Sequence, residues 1–463
     1  MNIDKKKIAK DMSNLIKCKT VSNRDESLVD RAEFKKLEAL LPKQYPALFK
    51  ACKPSHVGKT GIVFHIPSKT KKDHSSNTAV LMAHYDVVPA NKDEWSKDPF
   101  CGTIEDGTLW GRGTLDTKGT FCSILESADA LLASGWKPTI ELYLAFSGEE
   151  EIDGSTCPDI VKWFENKHIT PDFVLDEGGA IVDKSFPGVE GRSAMIGIAE
   201  KGSLNIECSI TSFGGHASAP APHTAAGYIA QAAQAIEAHP YRAQFSPAVY
   251  EMFKSFAPHA KQPYQFLFKH IKLFSPLIKS ASRAAGGELN AMFHTTCAVT
   301  KLDASKAFNV CPPSASLGMN IRLLGTDTID DAVAHIRHSV SKLDKQLIKH
   351  GIKKNIPAEQ ARVQIKVVNG MNQSRISDIN CPQYKNLCRV ITEQWPDVFI
   401  SPYLMMACSD SRHYCRITDK VYRFSGMYMS KEERGMIHGI DERIKLDTLY
   451  QTVEFYSKLM QTF

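Results

Sequence analysis

Three short apolar runs stop abruptly at acidic or histidine side chains, and that repeated abruptness limits the folds open to this chain. Residues 78–83 (Thr-Ala-Val-Leu-Met-Ala) end in His84-Tyr85-Asp86, and residues 139–146 end in Ser147-Gly148-Glu149-Glu150-Glu151. Residues 172–175 end in Asp176-Glu177-Gly178-Gly179. Runs this short read as strands buried on both faces of a sheet. Between the first two, Phe121, Ile124, Leu125, Ala128, Leu131 and Leu132 recur at three- and four-residue spacing, which predicts a helix. It begins just after Asp116-Thr117 and stops near Gly135, with Pro138 beyond. Strands alternating with helices predict an α/β class: a central mixed sheet flanked by helices.

At 463 residues the chain is too long for one ordinary core. From about Lys201 to Asn369 the pattern changes. Leu204, Ile206, Cys208 and Ile210 alternate along one face, and helical stretches follow around 225–238 and 329–349. After Gln373 come a helix near Tyr384–Gln394, a turn at Trp395-Pro396-Asp397, and a last helix from Asp447. The expected organisation is a discontinuous catalytic domain, residues 1–199 and 371–463. An α+β lid or dimerisation domain, residues 200–370, is inserted in it.

The net charge of +6 is small and dispersed. Lys5-Lys6-Lys7, Lys69–Lys72 and Lys353-Lys354 read as solvated lysines, since no aromatic residues interleave with them. Nucleic acid is therefore not an expected partner. The basic start is not followed by an apolar segment, and no run is long enough to span a bilayer, so no membrane partner is expected either. The 12 cysteines are scattered without a Cys-x-x-Cys, which points to reduced thiols in the cytoplasm. One stretch, Tyr264–Arg283, is amphipathic and basic. It reads as packing inside the inserted domain or at a dimer interface, with a membrane-surface role as the alternative.

Ligands of open α/β sheets bind beyond the carboxyl ends of strands. His84-x-Asp86, Glu150-Glu151 and Asp176-Glu177 each follow a predicted strand, and Asp116 sits in the turn Gly111-Arg112-Gly113-Thr114-Leu115-Asp116 before a helix. One histidine and several carboxylates at a single sheet edge repel each other unless a cation holds them. His and carboxylate without cysteine suit Zn²⁺, Mn²⁺ or Co²⁺. Asp86 is placed to accept the second ring N–H of His84 and fix its tautomer. Of the adjacent Glu150 and Glu151, one can bind metal while the other meets water as a general base. Each piece alone has a plainer reading. His-x-Asp is usually a turn, Glu-Glu-Glu a solvated helix start, and Asp-Glu-Gly-Gly a loop.

The ordered set resembles the M20 family of metallopeptidases and amidohydrolases. It comprises Met82–Pro89, Gly111–Gly119, Ser147–Ile152, Leu175–Gly179, Gly214-Gly215-His216-Ala217-Ser218 and Ile437–Glu442. The resemblance implies two metal ions per subunit, with His84 and Glu177 on one, Glu151 and His438 on the other, and Asp116 bridging. It makes Glu150 the general base and Asp86 the partner of His84, and it implies a cis bond between Asp116 and Thr117. Glu149 becomes the flanking acid once the run is aligned on Ile152, and Asp176 stands as the alternative to Glu177. His216 would reach the partner subunit's site in a homodimer and steady an oxyanion, where a plain glycine-loop histidine is the bland reading. Arg322 and Asn290 fall at positions linked with the substrate carboxylate, and Gly426 offers backbone contact or a simple tight turn.

The Leu175–Gly179, Glu200-Lys201-Gly202 and His216–Pro220 runs look most like the carboxypeptidase S and N-acyl-amino-acid hydrolase branch. The resemblance therefore implies hydrolysis of a peptide bond next to a free carboxylate, or of an N-acyl amino acid. A binding protein that kept the fold without the chemistry is the third reading.

Overall fold

The computed structural model describes residues 3–70, 77–211, 214–352 and 357–463. Lys71, Lys72, Lys353 and Lys354 of the basic runs lie outside the described residues.

The larger of the two main sheets has nine strands among the described residues. Their spatial order is Ser55–Val57, Gly61–Ile66, Glu141–Ser147, Thr78–His84, Phe173–Asp176, Val421–Arg423, Arg192–Glu200 and Val398–Met405, with Ile181–Asp183 paired beside Arg192–Glu200. The sheet is mixed, as expected. Thr78–His84 runs parallel to both Glu141–Ser147 and Phe173–Asp176, while Gly61–Ile66 is antiparallel to its neighbour. Parallel pairing has a functional result, because it brings the polar ends of all three predicted strands to one edge. His84 lies opposite Ser147 in that register.

All seven residues of Thr78–His84 are buried, which explains why the five between Thr78 and His84 are apolar. Successive side chains enter opposite faces. Ala79, Leu81 and Ala83 join the large core under the helices Lys5–Ile16, Lys118–Ala133 and Leu446–Gln461. Val80 and Met82 join a second core with Ile160, Val161 and Phe164 of the helix Thr156–Asn166. Each fully buried Leu or Val stabilises the fold by about 1.5–3 kcal/mol relative to exposure.

The smaller sheet is antiparallel, in the order Thr296–Asp303, Ser314–Leu323, Gly202–Thr211 and Gln364–Met371. Leu204, Ile206, Cys208 and Ile210 face its core, covered by the helices Ala225–Glu237, Ile329–Ser339 and Ser341–Ile352. The helices between Pro247 and Phe293 lie inside the 200–370 range yet pack elsewhere. Val249, Met252, Phe253, Phe256, Phe268, Ile271 and Phe293 join the large core. Their aromatic rings dictate this, with Phe253 centred 5.1 Å from Phe186 and 5.0 Å from Phe268. Among the described residues, no helix is long and apolar enough to cross a membrane.

Candidate metal centre and cavity

The Gly111–Asp116 turn is held from a distance in sequence. Glu442, fully buried, accepts the amides of Leu115 (2.8 Å) and Asp116 (3.2 Å) on one oxygen. Its other oxygen accepts from Gly113 N (3.0 Å) and the Arg112 guanidinium (2.8 Å). Gly113 has φ +90°, and a Cβ there would stand 2.7 Å from Val87 Cγ1, so a side chain is excluded. Lys118 anchors the following helix by donating to the carbonyls of Leu15 (3.1 Å) and Cys18 (2.6 Å). Burial pulls its ammonium down to about 8. The Asp116–Thr117 bond is cis.

Asp86 organises two loops. Its carboxylate accepts the amides of Glu150 and Glu151 (3.2 Å each) and the Ser22 hydroxyl (2.6 Å). His84 Nδ1 lies 3.1 Å from the Asp86 carbonyl and 3.3 Å from its carboxylate, so backbone and side chain share the orienting contact. The other ring nitrogen of His84 is 2.9 Å from Asp116 Oδ1.

Two groups of ligand atoms result, each lying within 4.8 Å: His84, Asp116 and Glu177, then Asp116, Glu151 and His438. Asp116 belongs to both. Its Oδ2 is 3.1 Å from His438 Nε2, which is also 3.0 Å from Glu151 Oε2. The loop carrying His438 is fixed by Asp441, which accepts the amide (2.7 Å) and hydroxyl (2.6 Å) of Ser96, and by Glu442. Asp176 turns instead to the Ser411 amide (3.0 Å), and Glu149 to the Thr156 hydroxyl (2.5 Å). Neither enters the groups.

The electrostatics call for a cation. Burial, then the Asp116 and Asp176 charges, push Glu177 well above the usual carboxylate range. Burial does the same to Glu150, with Asp410, Glu177 and Glu151 adding to it. Hydrogen bonds to Asp116 and Glu151 raise His438 to about 10. Burial opposes charge on His84, but its bonds to Asp116 and Asp86 outweigh it and hold the ring well above its ordinary value. Glu151 Oε1 is buried without a hydrogen-bond partner among the described residues. An orphaned carboxylate oxygen among carboxylates that repel one another and imidazole nitrogens that can ligate fits a pair of divalent ions.

From this edge opens a cavity of about 530 Å³. Asp116, Glu150, Glu151, Glu177 and His438 line one part of it. Most of the rest is apolar: Met195, Met252, Met292, Met405, Met406 and Met429, with Val182, Phe186, Val249 and Leu404. Sequence reasoning missed this wall, because its residues come from many separate elements and share no spacing. It also missed Ser22, Arg434, which lines the cavity, and the fully buried pair of Arg423 Nε and Glu200 Oε1 (2.6 Å) behind it.

The remaining expected site residues lie apart. Arg322 donates to Asn320 Oδ1 (3.2 Å) and to Cys408 Sγ (3.3 Å), and Cys408 lines the cavity. Asn290 lines a different, smaller pocket with Arg283 and Tyr241. His216 is exposed on the short strand Gly215–His216, with Nδ1 2.7 Å from Ser218 Oγ. Gly426 has φ +66°, and a Cβ there would meet Phe455 at 2.3 Å, so packing alone accounts for the glycine.

Residues 80–462 match peptidase family M20/M25/M40. The chain is 33% identical over 453 residues to the probable carboxypeptidase S-like 2 of Dictyostelium discoideum, covering 96% of this chain and 82% of that one. It is 30% identical over 401 residues to the N-fatty-acyl-amino acid synthase/hydrolase PM20D1 of Homo sapiens, covering 86% and 76%. A solved M20 family metallo-carboxypeptidase, Sso-CP2 from Sulfolobus solfataricus, shares the fold with a TM-score of 0.69, 17% identity and 98% of each chain covered.

Proposed function

This chain belongs to peptidase family M20/M25/M40, and from that premise we propose that it hydrolyses the amide bond of N-acyl amino acids carrying a long apolar acyl group. It is a hydrolase of peptide or related amide bonds. One observation carries the narrower reading: the methionine-rich cavity opens directly from the candidate metal ligands. Flexible thioether side chains suit an alkyl chain of variable length. Hydrolysis of a peptide bond next to a free carboxylate is the second reading, favoured by the relative named as carboxypeptidase S-like.

Two divalent ions would be held by His84, Asp116 and Glu177 and by Asp116, Glu151 and His438. Zinc is the best match to these donors, ahead of Mn²⁺ or Co²⁺, and such ions supply when bound an acidified water and a Lewis acid. Glu150, on the cavity wall beside them, takes the proton of the attacking water and returns it to the leaving amine. Burial raises its proton affinity, which suits a group that must hold that proton between steps. Asp86 orients His84 and the Glu150–Glu151 turn together. Arg322 reaches the cavity edge through Cys408 and grips the substrate carboxylate. Asn290 and Gly426 have weaker claims on the substrate, given where they lie.

His216 is absent from the wall of its own subunit's cavity, so its role in steadying the oxyanion requires a homodimer. The smaller sheet and its helices are the lid and dimerisation unit of this proposal, while the helices from Pro247 to Phe293 pack with the catalytic body. All twelve cysteines are free thiols, which supports a cytoplasmic location.

The test is a series of acyl groups of rising length on one amino acid, run beside a dipeptide panel. The expected result is a rise in kcat/KM of about fourfold per methylene until the cavity is filled. A flat series with dipeptides preferred would transfer the assignment to the second reading.

Metal content gives an independent check. The purified chain is expected to carry two divalent ions, and chelation to remove activity and lower stability by about 2.7 kcal/mol for each ion lost, where the free ion had stood at a hundred times its Kd. Calorimetry with and without chelator measures this, and an unchanged Tm would count against resident metal.

A further inference from the structure

We propose that the helices Tyr264–Lys269 and Ile271–Ala285 form a docking surface for an anionic lipid bilayer, beside the apolar cavity. The purpose of the surface, loading of acyl substrates from the lipid phase, rests on the amidohydrolase reading above.

The longer helix has two unlike sides. Ile271 and Ser282 are buried, with Ile278 half-buried between them, and Ile271 and Ile278 pack on the large core, while half-buried Phe274 meets the Phe266 ring at 5.7 Å. Packing inside the inserted domain or at a dimer interface was expected of the stretch; its buried face packs instead on the large core. On the opposite face Leu273 is 74% exposed and Leu277 62%, one helical turn apart, and Phe266 of the preceding helix is 52% exposed. Large apolar side chains grouped this way on a surface mark an interaction site.

Charge identifies the occupant. Between Met252 and Gly287 the sequence holds Lys254, Lys261, Lys269, Lys272, Lys279 and Arg283 and no aspartate or glutamate. Lys261 pairs with Glu190, Lys254 with Glu251, and Lys272 lies over the Tyr250 ring. Arg283 donates to the Tyr241 carbonyl. Even so, the positive charge of the exposed segment is uncompensated within it. Apolar side chains flanked by lysines, lying in the plane of a surface, match the acyl boundary and anionic headgroups of a bilayer. A second copy of this chain would bring the same positive charge to the contact and be repelled by it.

Position supports the same occupant. Phe268 of the first helix packs against Phe186, a cavity-wall residue, with ring centroids 5.7 Å apart. Val249 and Met252 on the helix before the pair, and Met292 on the helix after it, also line the cavity. The basic apolar face is thus carried by helices that lie in sequence between two cavity-lining helices and pack, through Phe268, on a cavity-wall residue.

The experiment is co-sedimentation of the full chain with vesicles of phosphatidylcholine alone, and of phosphatidylcholine with about a third phosphatidylserine. The expected result is binding to the anionic vesicles, roughly tenfold weaker on the neutral ones and released by added salt. The double variant Leu273→Asp/Leu277→Asp should lose at least about tenfold in vesicle affinity while hydrolysing a short soluble substrate at the wild-type rate. Lys269→Gln, a milder surface change, should weaken binding about fivefold. Absence of wild-type binding to anionic vesicles, or equal binding by the double variant, overturns the proposal. So does light scattering that shows the double variant turning a dimer into monomers while the wild type ignores vesicles, since a second copy would then cover the face. Binding is read without substrate, so failure of the amidohydrolase reading leaves the vesicle result standing, and the reverse also holds.

Discussion

Glu150→Gln is expected to lower kcat by about 10²–10⁴-fold while two metal ions stay bound. The substitution keeps the size of the side chain and removes only its capacity to take and return a proton. Metal retention follows from placement, since Glu150 stands on the cavity wall outside both groups of ligand atoms. The turn itself is held through the backbone, where the Glu150 and Glu151 amides donate to Asp86, and a glutamine leaves those bonds in place. Metal analysis and steady-state kinetics on the same preparation decide the matter. Retained turnover would remove Glu150 from the role of base, and loss of metal would move it among the ligands.

Glu442→Ala is expected to cost about 3–5 kcal/mol of folding stability and to weaken metal binding with it. One buried carboxylate accepts three backbone amides and a guanidinium, so its loss orphans all four donors at once. Arg112, only 3% exposed, would keep its bond to the Gly439 carbonyl (2.7 Å) and its stacking over Trp95, but its charge would be unpaired. Urea unfolding measures the effect. A loss under about 1 kcal/mol would mean that the Gly111–Asp116 turn holds itself.

The sequence made the polar sheet edge legible because parallel strands buried on both faces leave an unmistakable trace: an apolar run that stops at the first residue free to be polar. His84, Glu150, Glu151, Asp176 and Glu177 were all found that way. The roles within each pair came from the family resemblance rather than from the pattern of the runs. Glu149 and Asp176 turn to Thr156 and Ser411, contacts between residues with no local spacing to reveal them. The alternation of Leu204 to Ile210 gave the small sheet for the same periodic reason. The helices from Pro247 to Phe293 were harder, because an amphipathic pattern shows that a face is buried and not which core receives it. The methionine-rich cavity wall was invisible, since a methionine at 195 and another at 429 carry no mutual signal until the fold brings them together.

The clasp between Glu442 and the Gly111–Asp116 turn spans 326 residues of chain. At roughly 5–20 residues per second of synthesis, that separation delays closure by about 15–65 seconds after Asp116 has been made. During that interval the Gly111–Asp116 turn lacks its Glu442 contacts and is held by the Pro99 carbonyl, which accepts the Arg112 amide, and by the Lys118 anchor of the following helix. The four Glu442 contacts to the turn therefore form late and together. The geometry makes this turn a late step of folding: only a chain synthesised through Glu442 can close the clasp.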